Sequence, residues 1–145
     1  MLRSKTRTQG RKYPRRKHWI EQRDKVFKRA GKKCEISGDC LGLYVVVNPD
    51  GRKKWLWKRA VDHLLPERFV RRFIPKADPH ILENLYCVSM RIHAMKTPME
   101  RKIYGGDYIG YCGELIRIGF TQEMINKALT ALNESAKVKN DPRTR

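Results

Sequence analysis

At 145 residues with 40% hydrophobic content, the chain is long enough for one domain with a small appended element and a modest core. Thirty-three Lys and Arg against 15 Asp and Glu leave a formal net charge of +18, and so basic a small protein implies a polyanionic partner, nucleic acid before others. An anionic membrane would attract the same charge, but no run of about 18 apolar residues exists and no long basic amphipathic helix dominates.

Residues 1–17 carry eight Lys or Arg and no acid, with Gly10 and Pro14 among them. They read as a disordered basic arm whose Arg15, Arg16 and Lys17 follow a phosphate backbone. The segment lacks the apolar stretch of a secretory signal, so an intracellular, cytoplasmic protein with reduced cysteines is expected. From His18 to Ala30 the pattern is helical, with Trp19, Ile20, Val26 and Phe27 on one side and Gly31 as the stop.

Residues 43–48 and 54–59 are β-rich runs joined by Asn48-Pro49-Asp50-Gly51, which predicts a hairpin. Trp55 and Trp57 share one strand face, and core packing is the expected role of both. The stretches 60–66 (AVDHLLP) and 84–89 (NLYCVS) follow, with a connection between them that contains His80; this loop borders the pair and His80 could reach a metal or substrate, but an ordinary loop residue is the favoured reading. A helix is expected from about Met90 to Tyr104 despite Pro98, ended by Gly105-Gly106. Beyond a short apolar stretch at 115–118 and Gly119, Thr121 reads as an N-cap for a helix with Ile125, Leu129 and Leu132 on one face.

Phosphodiester cleavage at neutral pH needs a base to activate water and a cation to stabilise charge on phosphate and leaving oxygen. Neutral imidazole suits the first task; a carboxylate with one neutral ligand suits a hard divalent ion. Asp62 and His63 supply both groups on opposite sides of one strand, and His93 lies on the helix beyond the second. Lys96, Thr97 and Arg101 follow His93 at i+3, i+4 and i+8, so Lys96 and Arg101 are expected to make that helix face cationic against nucleic acid.

VDHLLP (61–66) followed by NLYCVSMRIHAMKT (84–97) resembles the HNH, or ββα-metal, nuclease motif, and residues 19–38 resemble the family's first helix and the start of its zinc knuckle. The resemblance covers roughly residues 19–104. It implies an α+β fold with a ββα-metal core, an additional hairpin and flanking helices, arranged as a basic arm (1–17), a nuclease domain (18–106), a C-terminal helical element (107–138) and a tail (139–145). It further implies a DNA endonuclease, on double-stranded DNA, using one Mg²⁺ or Mn²⁺ ion. Asp62 and His93 would bind the ion, His63 would be the general base, and Asn84 would hold the loop and orient His63 by a hydrogen bond. The small size and basic ends suit a phage or mobile-element nuclease. An inactive nucleic-acid-binding protein on the same scaffold and a small basic ribosome-associated protein are the alternatives.

Many family members hold a structural zinc with two Cys-x-x-Cys pairs. Here those positions are Cys34, Ser37, Ser89 and Ile92, so three of four ligands are missing and no structural zinc is expected. A rearranged site of Cys34, Cys40, Cys87 and Cys112 is the alternative, with free thiols the default. The hairpin with its Trp pair would then supply the support that zinc supplies in relatives.

Overall fold

The computed structural model describes the backbone of residues 2–140 and the side chains of residues 16–137 apart from residue 57. The architecture is α+β, with five helices and two two-stranded antiparallel sheets among the described residues. No helix among them is long and apolar enough to cross a membrane.

The first helix, α1, runs Leu2–Ala30, so the segment expected as a disordered arm is helical from residue 2. Lys, Arg and Gln are good helix formers, and extending a helix anchored at one end costs less than nucleating one. The anchor is Val26, fully buried, with Trp19 and Phe27 packed beside it. Gly31, at φ 65°, ends the helix and donates its N–H to Phe27 O.

The expected hairpin is present as β1 (Leu43–Val47) and β2 (Lys53–Trp57), antiparallel with Val45 opposite Trp55. Its turn closes through Gly51 N–H to Asn48 O (2.9 Å). The hairpin does not build the core: Trp55 is 63% exposed, and Leu43, Val45 and Val47 are exposed beside it. The Trp57 side chain lies outside the described residues. Among the described residues this face of the ribbon is left open, so β propensity alone did not bury it.

The second sheet pairs β3 (Arg59–His63) with β4 (Leu85–Ser89), Asp62 opposite Tyr86 and His63 opposite Leu85. Helix α3 (Met90–Tyr104) starts directly from β4, because Ser89 Oγ caps it by accepting the Ile92 N–H. The connection between the strands carries helix α2 (Glu67–Phe73) and a 3₁₀ turn at Leu82–Asn84.

Helices α4 (Tyr108–Ile118) and α5 (Gln122–Asn140) complete the chain. Thr121 caps α5 through Met124 N–H, as its sequence position indicates. Gly119 between them has φ 123°, and a Cβ there would meet Ile36 Cγ2 at 2.9 Å. Tyr111, Leu115, Ile125 and Leu132 are fully buried in one core with Leu64, Val70, Leu85 and Val88. The segment expected as an appended C-terminal element therefore shares the core of the strands it follows.

Candidate functional site

Asp62 and His93 meet across β3 and α3, with His93 Nδ1 2.9 Å from Asp62 Oδ2. An open cleft of about 890 Å³ lies over them, between α2 and α3. His63 lines the same cleft although it alternates with Asp62 along the strand. Glu67, Arg68, Arg71 and Arg72 come from α2, and Thr97 and Glu100 from α3. Carboxylate, imidazole and guanidinium groups thus converge on one surface.

His63 is held from two sides. The Trp19 ring stacks on it at 5.1 Å and 17°, and its Nε2 lies 2.9 Å from His80 Nδ1. His80 is buried, not an ordinary loop residue: its carbonyl accepts from Gln22 Nε2 and its N–H donates to Asp78 Oδ1. Asp78 also pairs with His18 at 2.7 Å, so His18 ties α1 to the loop rather than merely extending the basic segment. Burial and then the neighbouring His80 push the His63 imidazole down to about 4, so it is neutral at physiological pH. Burial lowers His80 as well. Glu67 is shifted down despite burial, because its hydrogen bond and ion pair with Arg71 outweigh that cost.

His80 Nε2 faces Glu67 Oε1 at 3.9 Å. With the His80 proton on that nitrogen, His80 Nδ1 accepts and His63 donates from Nε2, which leaves His63 Nδ1 without a proton.

Asn84 is fully buried, but it does not bond His63. Its Oδ1 accepts Leu65 N–H (2.8 Å), and its Nδ2 donates to Leu65 O and Pro79 O (3.0 Å each). The amide fastens the loop after β3 to the loop before β4, and His80 takes the orienting role expected of Asn84. Lys96 is not on the cationic face either: it is 1% exposed and paired with Glu100 at 2.9 Å. Arg101 is exposed on α3, and Arg16 and Lys17 are exposed on α1; the Arg15 side chain lies outside the described residues. The cations that do line the cleft belong to α2, in a stretch that carried no sequence expectation beyond a connection.

The four cysteines form no shared site among the described residues, although Cys34 and Cys87 are neighbours. Among the described residues, the only group of three or more metal-ligating side chains is His63, Glu67 and His80. Cys34 instead closes a tight knuckle, its Sγ accepting Ser37 N–H at 3.3 Å. Glu35 locks that knuckle to the sheet by accepting Cys87 N–H (2.8 Å) and a two-pronged contact from Arg29. The Arg29–Glu35–Cys87 junction thus ties the knuckle to α1 and β4. No family model, curated protein or solved structure matches the chain.

Proposed function

We propose that this protein is a metal-dependent endonuclease of the HNH type that hydrolyses phosphodiester bonds in DNA. The observation that carries the reading is the convergence of Asp62, His63 and His93, from two paired strands and the helix that follows them, in one arginine-walled cleft.

The donor set fits a hard divalent ion. Asp62 Oδ2 and His93 Nδ1, hydrogen-bonded at 2.9 Å, offer one carboxylate and, once Nδ1 gives up its proton, one neutral imidazole side by side with positions left for water and phosphate oxygens. When bound there, such an ion supplies Lewis-acid stabilisation of charge on phosphate and leaving oxygen.

The remaining work falls to the chain. His63 takes a proton from water at Nδ1, neutral by burial and fixed by His80. Arg68 and Arg72 border the cleft and attract the substrate's phosphates. Arg71 holds Glu67 away from them through hydrogen bonds of 2.6 and 3.0 Å. Trp19 excludes water from one face of the base.

The test is incubation of the full chain with supercoiled plasmid and Mg²⁺ or Mn²⁺, beside His63→Ala and Asp62→Ala. The parent is expected to nick, His63→Ala to lose nicking while keeping metal affinity, and Asp62→Ala to lose metal affinity by calorimetry. Equal nicking by parent and His63→Ala defeats the assignment of the base. DNA binding without nicking by the parent leaves a binding protein on this scaffold.

A further inference from the structure

We propose that His63, His80 and Glu67 form a second cation site, suited to a borderline ion such as Zn²⁺, whose occupation silences His63 as a base. The binding half stands alone; the silencing half rests on the nuclease reading.

One ligand atom from each of the three residues lies within 4.8 Å of the others. Two imidazoles and one carboxylate form a donor set typical of zinc, whereas the carboxylate and single imidazole of Asp62 and His93 suit a harder ion. Neighbouring nitrogens on a tetrahedral zinc with bonds of about 2.0–2.1 Å stand about 3.3 Å apart. His63 Nε2 and His80 Nδ1, now hydrogen-bonded at 2.9 Å, need to part by a few tenths of an ångström and turn their lone pairs onto the ion. Gln22 and Asp78 fix the His80 backbone, so the ring can tilt without leaving. Glu67 is 42% exposed on the first turn of α2 and can exchange Arg71 for the ion. Three protein ligands leave the fourth position to water.

The consequence for His63 follows from its tautomer. Coordination through Nε2 requires that nitrogen's lone pair, so the ring's one proton moves to Nδ1. Nδ1 is the atom that must be bare to accept a proton from water, and it no longer is. No net proton is lost from the ring; the base is blocked by relocating one.

The test uses the full chain, stripped of metal, with Co²⁺ absorption as the probe and Zn²⁺ as competitor. Parent and Asp62→Asn are expected to bind one ion with tetrahedral Co²⁺ bands. His80→Gln and Glu67→Gln should bind at least tenfold more weakly. Glu67 is partly exposed, so its variant reports even if the buried His80 variant melts early by circular dichroism. Parent-like binding by both variants overturns the site, as does loss of the ion in Asp62→Asn alone. In Mg²⁺-supported nicking, Zn²⁺ should inhibit the parent in step with occupancy, and Glu67→Gln should keep a larger fraction of its own zinc-free rate. Equal fractions overturn the silencing. Zinc binding that follows the three residues in a protein that never nicks upholds the site and removes the nuclease reading.

Discussion

Asn84 and the Leu65 peptide are paired in both directions, Oδ1 accepting Leu65 N–H and Nδ2 donating to Leu65 O. The second amide hydrogen goes to Pro79 O, so one buried side chain closes the gap between two loops that frame the cleft. Asn84→Ala leaves an N–H and two carbonyls without partners, at about 1–3 kcal/mol for each group that water cannot reach. We expect a loss of about 3 kcal/mol in urea unfolding. Asn84→Asp, nearly the same shape, should be at least as harmful, because it sets a carboxylate oxygen against Leu65 O and Pro79 O. An aspartate variant as stable as the parent would show that the amide donors are dispensable.

Lys96 and Arg101 should separate cleanly when one is tested for stability and both for DNA binding. Lys96 is buried with Glu100 as its partner and the Tyr111 ring 5.9 Å away. Lys96→Ala opens a cavity and takes the cation from Glu100, which keeps the Tyr104 hydroxyl, for about 2–3 kcal/mol of destabilisation. It should leave the salt dependence of DNA binding unchanged below the melting point. Arg101→Ala should do the reverse, keeping stability within about 0.5 kcal/mol and reducing the slope of log affinity against log salt by about 1 if it contacts phosphate. A reduced slope for Lys96→Ala would place that ammonium at the surface.

The Lys96 case also marks what the sequence made legible. Asp62, His63 and His93 sit on consecutive elements whose order brings them to one cleft, so their grouping could be read from the chain. Helix α3 was readable to its boundaries, since Ser89 caps one end and Gly105 the other. The stripe Ile92, Lys96, Met99 and Ile103 has core spacing and is buried throughout, yet a charge at the second position masks it when residues are counted from His93. The burial of His80 and its bond to His63 were hidden for a different reason. His80 lies 17 residues from its partner, in a loop whose path depends on Asn84, Gln22 and Asp78, and no local pattern reports such a contact. The arginines of α2 were equally silent, because a seven-residue helix leaves too few turns for periodicity to show.

Acid stability should carry the mark of His63. In the unfolded chain its imidazole takes a proton below the ordinary value of 6.5; in the fold, burial and His80 hold it down to about 4. The unfolded state therefore binds more protons across that interval, and stability falls as pH drops from 6.5 to 4. Two and a half pKa units correspond to at most about 3 kcal/mol. His80, shifted in the same direction, adds to the loss, and Asp78, shifted down because its hydrogen bonds to His80 and His18 outweigh the cost of burial, extends it below 3.8. Denaturant titrations in EDTA should show this slope, and His63→Gln should flatten part of it. A flat parent profile between pH 4 and 6.5 would mean that His63 is protonated in the fold.

The junction at Glu35 and the hairpin at Trp55 make opposite expectations about what supports the knuckle. Glu35 Oε1 accepts the Cys87 N–H, and both carboxylate oxygens meet Arg29, whose Nη2 also donates to Leu85 O at 2.6 Å. These contacts join α1, the knuckle and β4 at the back of the strand that leads into α3. The Cys87 contact is part-buried but the Arg29 contacts are exposed and screened by solvent, so Glu35→Ala should cost about 1–2 kcal/mol. Glu35→Gln should recover part of this through its retained carbonyl oxygen. Trp55 faces solvent opposite Val45, and Trp55→Ser should change stability by no more than about 1 kcal/mol, the worth of a cross-strand pair. Parallel urea melts decide between them. A large cost at Trp55 with little at Glu35 would return the supporting role to the hairpin and require that its exposed face be covered in solution.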